Sequence, residues 1–349
     1  MTIRDIAELS GFSVGTVSRV LNDSPNVSEK TREKILKVVE ENHFEPNSYA
    51  RTLKQHSSNE ILVIVKGFAN TFMASLLESM QMLVEEKGFS FRVSYINEND
   101  NEVLMAKRQC DTAKPQGIIF LGSSLPNFEA DFNGITIPCI IATNSAESLG
   151  YENLSSVATD DRTAARIAME YLFKLGHQHI GILGGRSLDS RPVYQRYKGI
   201  REAFEHEKIP FDPEKCYEGS LFSLSDGYTA MNRLVDRYSD MTAVFAMSDL
   251  TAIGAMRALG DRNINVPEEI SVFGFDGIEY AGFITPRLTT IRQNREVISR
   301  RSVEILVERI EDPSLEAVHE IAPFRVNPGE STSKPAPARG EGSWGRKGL

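Results

Sequence analysis

The chain has 349 residues, 41% of them hydrophobic and 25% charged, with a net charge of −9. That length exceeds one small core and predicts two or three domains, at about 100–200 residues per domain. The acidic balance argues against a protein that coats nucleic acid through bulk charge. No apolar run approaches the roughly 18 residues of a membrane span and no signal-like stretch opens the chain, so a cytoplasmic location with no membrane partner is expected. Cys110, Cys139 and Cys216 are too few for a disulfide framework and too far apart for a metal knuckle, which leaves buried thiols as the expectation.

Residues 1–57 hold eight Lys/Arg and eight Asp/Glu, so the acidity belongs to the rest of the chain. Ile3, Ile6, Ala7 and Leu9 at helical spacing predict a helix, broken at Gly11 and Phe12. Ser13 opens a second short helix that runs to Asn22. Two short helices around a tight glycine turn follow the helix-turn-helix plan, whose second helix enters the DNA major groove. Val17, Val20 and Leu21 share the inward face, leaving Val14, Gly15, Thr16, Ser18 and Arg19 outward. Arg19 can make two bonds to guanine O6 and N7; its competing role is an ion pair with Asp23 at i+4. Val14 offers apolar contact suited to a thymine methyl group, and Gly15 offers no side chain at a cost of about 1 kcal/mol in helix propensity relative to Ala. Ser13, Thr16, Ser18 and Asn22 read as phosphate contacts or helix caps, which position without specifying. With no net charge, this segment must hold DNA through placed contacts.

A third helix is expected after a Ser28 cap, with Ile35, Leu36, Val38 and Val39 on its apolar side and its end near Asn42, before Phe44, Glu45 and Pro46. Residues 47–55 read as a short amphipathic helix and residues 56–59 as a polar linker. From Glu60 the texture alternates: strands over 61–65, 89–96, 117–121 and 137–142, with helices over 72–87 and 101–113. After Asp160 come helices over 162–175, 194–207 and 250–260, with strands over 179–183, 243–246 and 270–273. Such alternation predicts two Rossmann-like lobes of parallel sheet covered by helices, with a cleft beside the carboxyl ends of the strands. His177 and His179 flank Gln178 where a strand enters; alternation could put both on one face, and a structural role outweighs a metal there. Glycine-rich phosphate loops, a nucleophile elbow and carboxylate pairs in catalytic context are all absent, so neither enzyme activity nor a cofactor or metal is expected.

The wording of the first segment is more specific than its spacing. Ile3-Arg4-Asp5-Ile6-Ala7 and Thr16-Val17-Ser18-Arg19-Val20-Leu21-Asn22, followed by Val27-Ser28 and Thr31-Arg32-Glu33-Lys34-Ile35, resemble the LacI/GalR family of bacterial transcriptional regulators. So do Phe44-Glu45-Pro46-Asn47 and Ala50-Arg51-Thr52-Leu53-Lys54, and the resemblance runs from Thr2 to about Pro328. It implies an all-α helix-turn-helix domain over residues 1–46, a hinge helix and linker over 47–59, and a two-lobed α/β, periplasmic-binding-protein-like domain over 60–330. Residues 331–349, rich in Gly, Pro, Ser and Arg, are expected to form a disordered tail.

The resemblance further implies a sequence-specific regulator, expected to be a repressor, that binds a near-palindromic double-stranded operator as a homodimer under the control of a small-molecule effector. It makes Val14 and Gly15 the specificity positions. Leu53 takes the part of a wedge into a central minor-groove step, where unstacking costs a few kcal/mol and kinks the duplex. Ala50 permits close approach of two hinge helices, and Arg51 and Lys54 reach phosphates. A nine-residue helix is too short to be stable alone, so anything that separates the two copies melts it.

In the cleft, the resemblance makes Arg196 the effector-gripping arginine, Asp276 the acceptor for ligand hydroxyls and Phe72 the aromatic cover, with Ser123, Asp160 and Ser248 beside them. Polyols need bidentate acceptors, forked donors and an aromatic face, so a carbohydrate-like effector is expected. The competing roles are a strand-end cap for Asp276, a surface charge for Arg196 and a core ring for Phe72. Arg186 and Arg191 leave two readings open, an anionic effector such as a sugar acid or sugar phosphate, or a solvated loop charge. A sugar-binding protein without a DNA role would have no use for residues 1–57, and a nucleotide-linked enzyme would need the missing glycine turn.

Overall fold

The computed structural model describes residues 3–21, 27–42, 59–67, 71–186 and 191–336. Two compact units divide between residues 58 and 59. In the first, α1 (Ile3–Ser10), α2 (Val14–Leu21) and α3 (Glu29–Glu41) pack around Ile6, Ala7, Val17, Val20 and Ile35. Gly11 adopts φ of 75°, which turns its own amide and that of Phe12 back to the Ala7 carbonyl at 3.0 and 3.2 Å. This left-handed cap ends α1 and redirects the chain into α2. Leu9 and Leu36, expected on apolar faces, are 57% and 44% exposed, because the small core admits only one narrow stripe of each helix. Ser28 sits at the N-cap of α3, but its hydroxyl bonds that of Thr31 at 2.8 Å rather than a backbone amide. The expected hinge helix, and with it Ala50, Arg51, Leu53 and Lys54, lies outside the described residues, as does Asn22.

The first lobe of the second unit contains β1 (Glu60–Lys66), α4 (Thr71–Glu86), β2 (Ser90–Ile96), α5 (Glu102–Thr112), β3 (Gly117–Leu121), α6 (Leu125–Asp131), β4 (Cys139–Ala142) and β5 (Leu154–Thr159). The second lobe contains α7 (Asp161–Leu175), β6 (Ile180–Gly185), α8 (Arg191–His206), β7 (Tyr217–Ser220), α9 (Leu224–Arg237), β8 (Ala243–Ala246), α10 (Asp249–Asp261), β9 (Ser271–Asp276) and β10 (Thr289–Gln293). Next, α11 (Arg295–Glu311) and β11 (His319–Ala322) return to the first lobe, and β12 (Phe324–Asn327) to the second. The sheets run β11-β5-β4-β3-β1-β2 and β12-β10-β9-β8-β6-β7, with parallel pairing throughout except between β10 and β12. The chain therefore passes between lobes three times: after Thr159, after Gln293 and at Pro323.

Strands such as β1, β3 and β9 are almost wholly buried, as parallel sheets covered on both faces require. Strand β5, not among the expected strands, is equally buried yet carries Ser155 and Ser156. Arg309 donates to the Ser155 hydroxyl at 3.2 Å and the Ala146 amide donates to that of Ser156 at 3.0 Å, so burial leaves neither hydroxyl unpaired. Helices α7 and α8 meet backbone to backbone: a Cβ on Gly199 would stand 2.0 Å from the Arg162 carbonyl oxygen. That close approach brings Arg196, one turn before Gly199, against the start of α7.

The expected tail begins too early. Ser331 is fully buried; its hydroxyl accepts the Thr289 amide at 2.8 Å and donates to the Val272 carbonyl at 2.6 Å. His177, expected to have a structural role, sits 1% exposed between the Thr242 hydroxyl at 2.9 Å and the Ser333 carbonyl at 2.8 Å. Residues 331–333 thus belong to the second lobe, since backbone groups of β9 and β10 take them as partners. His179 is 53% exposed beside Asp240, so the two histidines do not share a face. Among the described residues, no group of three or more His, Cys, Asp or Glu could hold a metal, and no helix is long and apolar enough to cross a membrane.

Candidate functional site

The outward face of α2 is small and open. Ser13, Val14, Gly15 and Arg19 are exposed, and Thr16 and Ser18 half-buried. The Ser13 hydroxyl accepts the Thr16 amide at 3.2 Å and bonds the Thr16 hydroxyl at 3.0 Å, so this pair caps the helix. A Cβ on Gly15 would meet only the Ser13 hydroxyl, at 3.8 Å. The fold therefore has room for a side chain at Gly15 and does not itself require glycine there.

The second site forms where strand ends meet the crossovers. Arg196, on α8, donates from Nε to Asp161 Oδ1 at 2.7 Å and from Nη1 to the Met247 carbonyl at 2.5 Å. Its guanidinium carbon lies 3.6 Å from the centroid of the Phe275 ring. Nη2 makes no hydrogen bond with a described residue. Asp276, the last residue of β9, holds φ of 120°, an uncommon backbone state for a non-glycine residue. Gly277 follows at φ of 73°, and a Cβ there would fall 2.6 Å from Arg292 Cγ, so only glycine fits the turn. Asp249 fixes that turn: its Oδ2 accepts the amides of Gly277 and Ile278 at 2.7 and 2.8 Å, and its Oδ1 accepts the Thr290 hydroxyl at 2.5 Å.

Gln293, at the end of β10, donates to Asp276 Oδ1 at 2.8 Å and accepts the Thr159 hydroxyl at 2.8 Å. This amide ties two crossovers to the Asp276 carboxylate. Asp161, Asp249 and Asp276 are all buried. Burial pushes the Asp161 carboxyl up, against the pull of Arg196. Asp249 is raised well above the usual range by burial and by the neighbouring Asp276 charge. Burial likewise lifts Asp276 to about 7, opposed by Arg196 and Gln293.

The remaining expected residues divide. Asp160 caps α7 through the Thr163 amide at 3.0 Å, and lines an opening of about 480 Å³ with Asn144, Thr159, Asp161 and Gln195. Ser123 is buried, its hydroxyl has no partner among the described residues, and its carbonyl accepts from Asn144 at 3.2 Å. Ser248 is committed to capping α10, accepting the Thr251 amide at 3.2 Å. Phe72 is 4% exposed in the apolar cluster that runs through both lobes, so its ring packs as core. Arg186 is engaged by both carboxylate oxygens of Asp226 at 3.1 Å, and the Arg191 side chain is not among those described. Sequence reasoning missed Thr159, Asp161, Asn144, Asp249 and Gln293. Asp249 and Asp161 were legible as carboxylates beside strand ends; the others carry no signal without the crossovers.

A ligand cleft between α/β lobes, on the same chain as a helix-turn-helix unit, is the architecture of ligand-responsive transcription factors. Comparison with known proteins narrows that class. Residues 2–47 match the family described as bacterial regulatory proteins, lacI family, and residues 169–332 match a periplasmic binding protein-like domain. The chain is 33% identical over 315 residues to the HTH-type transcriptional regulator MalR of Clostridium butyricum, covering 89% of this chain and 93% of that protein. It is 29% identical over 325 residues to the HTH-type transcriptional repressor PurR of Histophilus somni, covering 92% and 95%. A structure of the transcriptional regulator CelR with cellobiose superposes with a TM-score of 0.69 at 27% identity, covering 95% of this chain and 99% of that one. The Lac repressor dimer bound to operator and the anti-inducer ONPF superposes with a TM-score of 0.73 at 25% identity over the same shares. The chain belongs to the LacI family of bacterial transcriptional regulators.

Proposed function

We propose that this regulator is a repressor that binds a near-palindromic operator as a homodimer and responds to a neutral, carbohydrate-like effector held between its lobes. The observation that carries the effector class is the charge of the cleft. Two buried carboxylates, Asp161 and Asp276, lie beside one buried arginine already paired with Asp161. With Asp276 lifted to about 7 and Asp161 paired with the arginine, a further anion would be repelled as Asp276 ionises. Hydroxyl groups suit the site better, donating to Asp276 and accepting from Arg196 Nη2. Arg186, one of the two arginines behind the anionic reading, is paired with Asp226. Cellobiose in the CelR structure is a neutral ligand of the same kind.

Dimer formation is supported by the Lac repressor structure and by apolar side chains that this chain leaves in the open, Phe283 at 80% and Tyr280 at 56% exposure. The protein acts in the cytoplasm by binding, without catalysis. The Leu53 wedge and the DNA contacts of Asn22, Ala50, Arg51 and Lys54 remain part of the proposal. The experiment is operator selection from a random DNA library, followed by mobility-shift titration with neutral sugars, sugar acids and sugar phosphates. A neutral sugar is expected to change operator affinity in the wild type and to have no effect on Asp276→Ala. An effect confined to the charged sugars overturns the effector class. Arg19→Ala is expected to weaken specific binding by about 1–3 kcal/mol while sparing non-specific binding, and Leu53→Ala to reduce DNA bending.

A further inference from the structure

A second cavity, of about 310 Å³, opens at the crossovers and is lined by Arg292, Arg295 and Arg325 together with Gln293, Phe324 and Glu296. The three arginine side chains are exposed, and none has a hydrogen bond or ion pair with a described residue. Several other exposed arginines of this unit are paired, Arg233 and Arg237 with Glu218 and Arg287 with Glu330.

The register sharpens the anomaly. Strands β10 and β12 run antiparallel with Arg292 directly opposite Arg325. Directly opposed side chains stand about 4.5–5.5 Å apart at Cβ, and like charges so placed repel. The Arg292 stem is also held in place, since its Cγ packs where a Cβ of residue 277 would otherwise be. Arg295 adds a third charge at the first turn of α11, a helix of 17 residues whose N-terminus is capped by Asn294 through the Val297 amide and whose dipole favours an anion there. Glu296 is the one acid in the lining, so the cavity keeps a positive excess within an otherwise acidic body.

We infer that this cavity is a binding site for a small phosphate-bearing anion, gripped by Arg292 and Arg325 from the sheet side and by Arg295 from the helix side. Guanidinium forks match phosphate oxygens in pairs, and one dianion between Arg292 and Arg325 turns a repulsive cross-strand pair into two attractive contacts. The site is separate from the carboxylate cleft, sharing only Gln293 with it. Its walls come from two of the three crossovers, residues 293–295 and 323–325.

The test is calorimetric titration of the full chain with pyrophosphate at constant ionic strength. Wild type is expected to bind one pyrophosphate per chain, and Arg292→Gln with Arg325→Gln to bind at least about 10-fold more weakly, as loss of charge-assisted bonds predicts. Arg300→Gln, on the same helix but paired with Glu304, is expected to bind as wild type does. Melting temperature supplies an independent reading: Arg325→Gln should raise it in phosphate-free buffer, by relieving the repulsion, and should lose the further rise that pyrophosphate gives wild type. Equal affinity in wild type and the double variant, no binding in wild type, or a lowered melting temperature for Arg325→Gln in phosphate-free buffer overturns the inference.

Discussion

Arg196 and Asp161 form a buried ion pair, Nε to Oδ1 at 2.7 Å, that joins α8 to the first residue of α7 directly after a crossover. The resemblance makes this arginine the effector-gripping one, with a helix-surface charge as its competing role; in the structure it is stacked on Phe275 and bonded to the Met247 carbonyl. Removing it leaves Asp161 buried without its cation. Arg196→Ala is expected to destabilise the two-lobed unit by about 3–5 kcal/mol in calorimetric unfolding. Arg196→Lys keeps the charge without the planar fork and should unfold less easily than the alanine variant while still losing effector affinity.

Effector binding should depend on pH through Asp276. Its carboxyl is lifted to about 7 in the folded protein, above the unfolded value of about 3.9. A raised carboxyl contributes stability that is fully present below the unfolded value and is lost as pH rises through the folded one. A polyol that donates hydroxyl protons to Asp276 prefers the ionised form, so its binding should tighten between about pH 6 and about pH 8. Asp276→Asn should bind weakly and without that slope; a slope surviving in the variant assigns the titration elsewhere.

Gly15 separates folding from recognition. Its surroundings are open, so Gly15→Ala should stabilise the helix-turn-helix unit by about 0.5–1 kcal/mol, the usual gain in a helix interior. If the DNA-facing role is correct, the same change alters operator preference in the random-library selection. A more stable variant with unchanged preference would place position 15 away from the bases.

Ser331 tests the ordered end of the second lobe. Ser331→Ala removes an acceptor for the Thr289 amide and a donor to the Val272 carbonyl, both buried. Leaving buried backbone groups unsatisfied costs about 1–3 kcal/mol each at most, so a clear fall in melting temperature is expected. No fall would mean that water reaches both groups.

Where the sequence was readable, a periodic signal carried the information. Apolar runs such as those of β1 and β3 announced parallel strands, and the spacing of Val17, Val20 and Leu21 announced the inward face of α2. Strand β5 escaped because Arg309 and backbone amides pair its serines, a fact held 154 residues away in the case of Arg309. The expected tail failed for the same reason: Ser331 looks like linker composition until β9 and β10 offer it three hydrogen bonds. Ser248 and Asp160 were found at the right strand ends but serve first as helix caps.

The sequence by itself determined the spacing and family wording of the first helices and the alternation that yields two lobes, while the family resemblance singled out Arg196 and Asp276 as candidates for the cleft. The helices and the alternation follow from local periodicity and from residues set at fixed spacing. Only the tertiary structure decided which carboxylates share the arginine, that Gln293 links Thr159 to Asp276, and that Arg292 confronts Arg325 across an antiparallel pair. Those relations depend on three crossovers that bring distant strand ends within hydrogen-bonding reach, and hydrogen bonds and paired charges act over a few ångströms of space, whatever the separation along the chain.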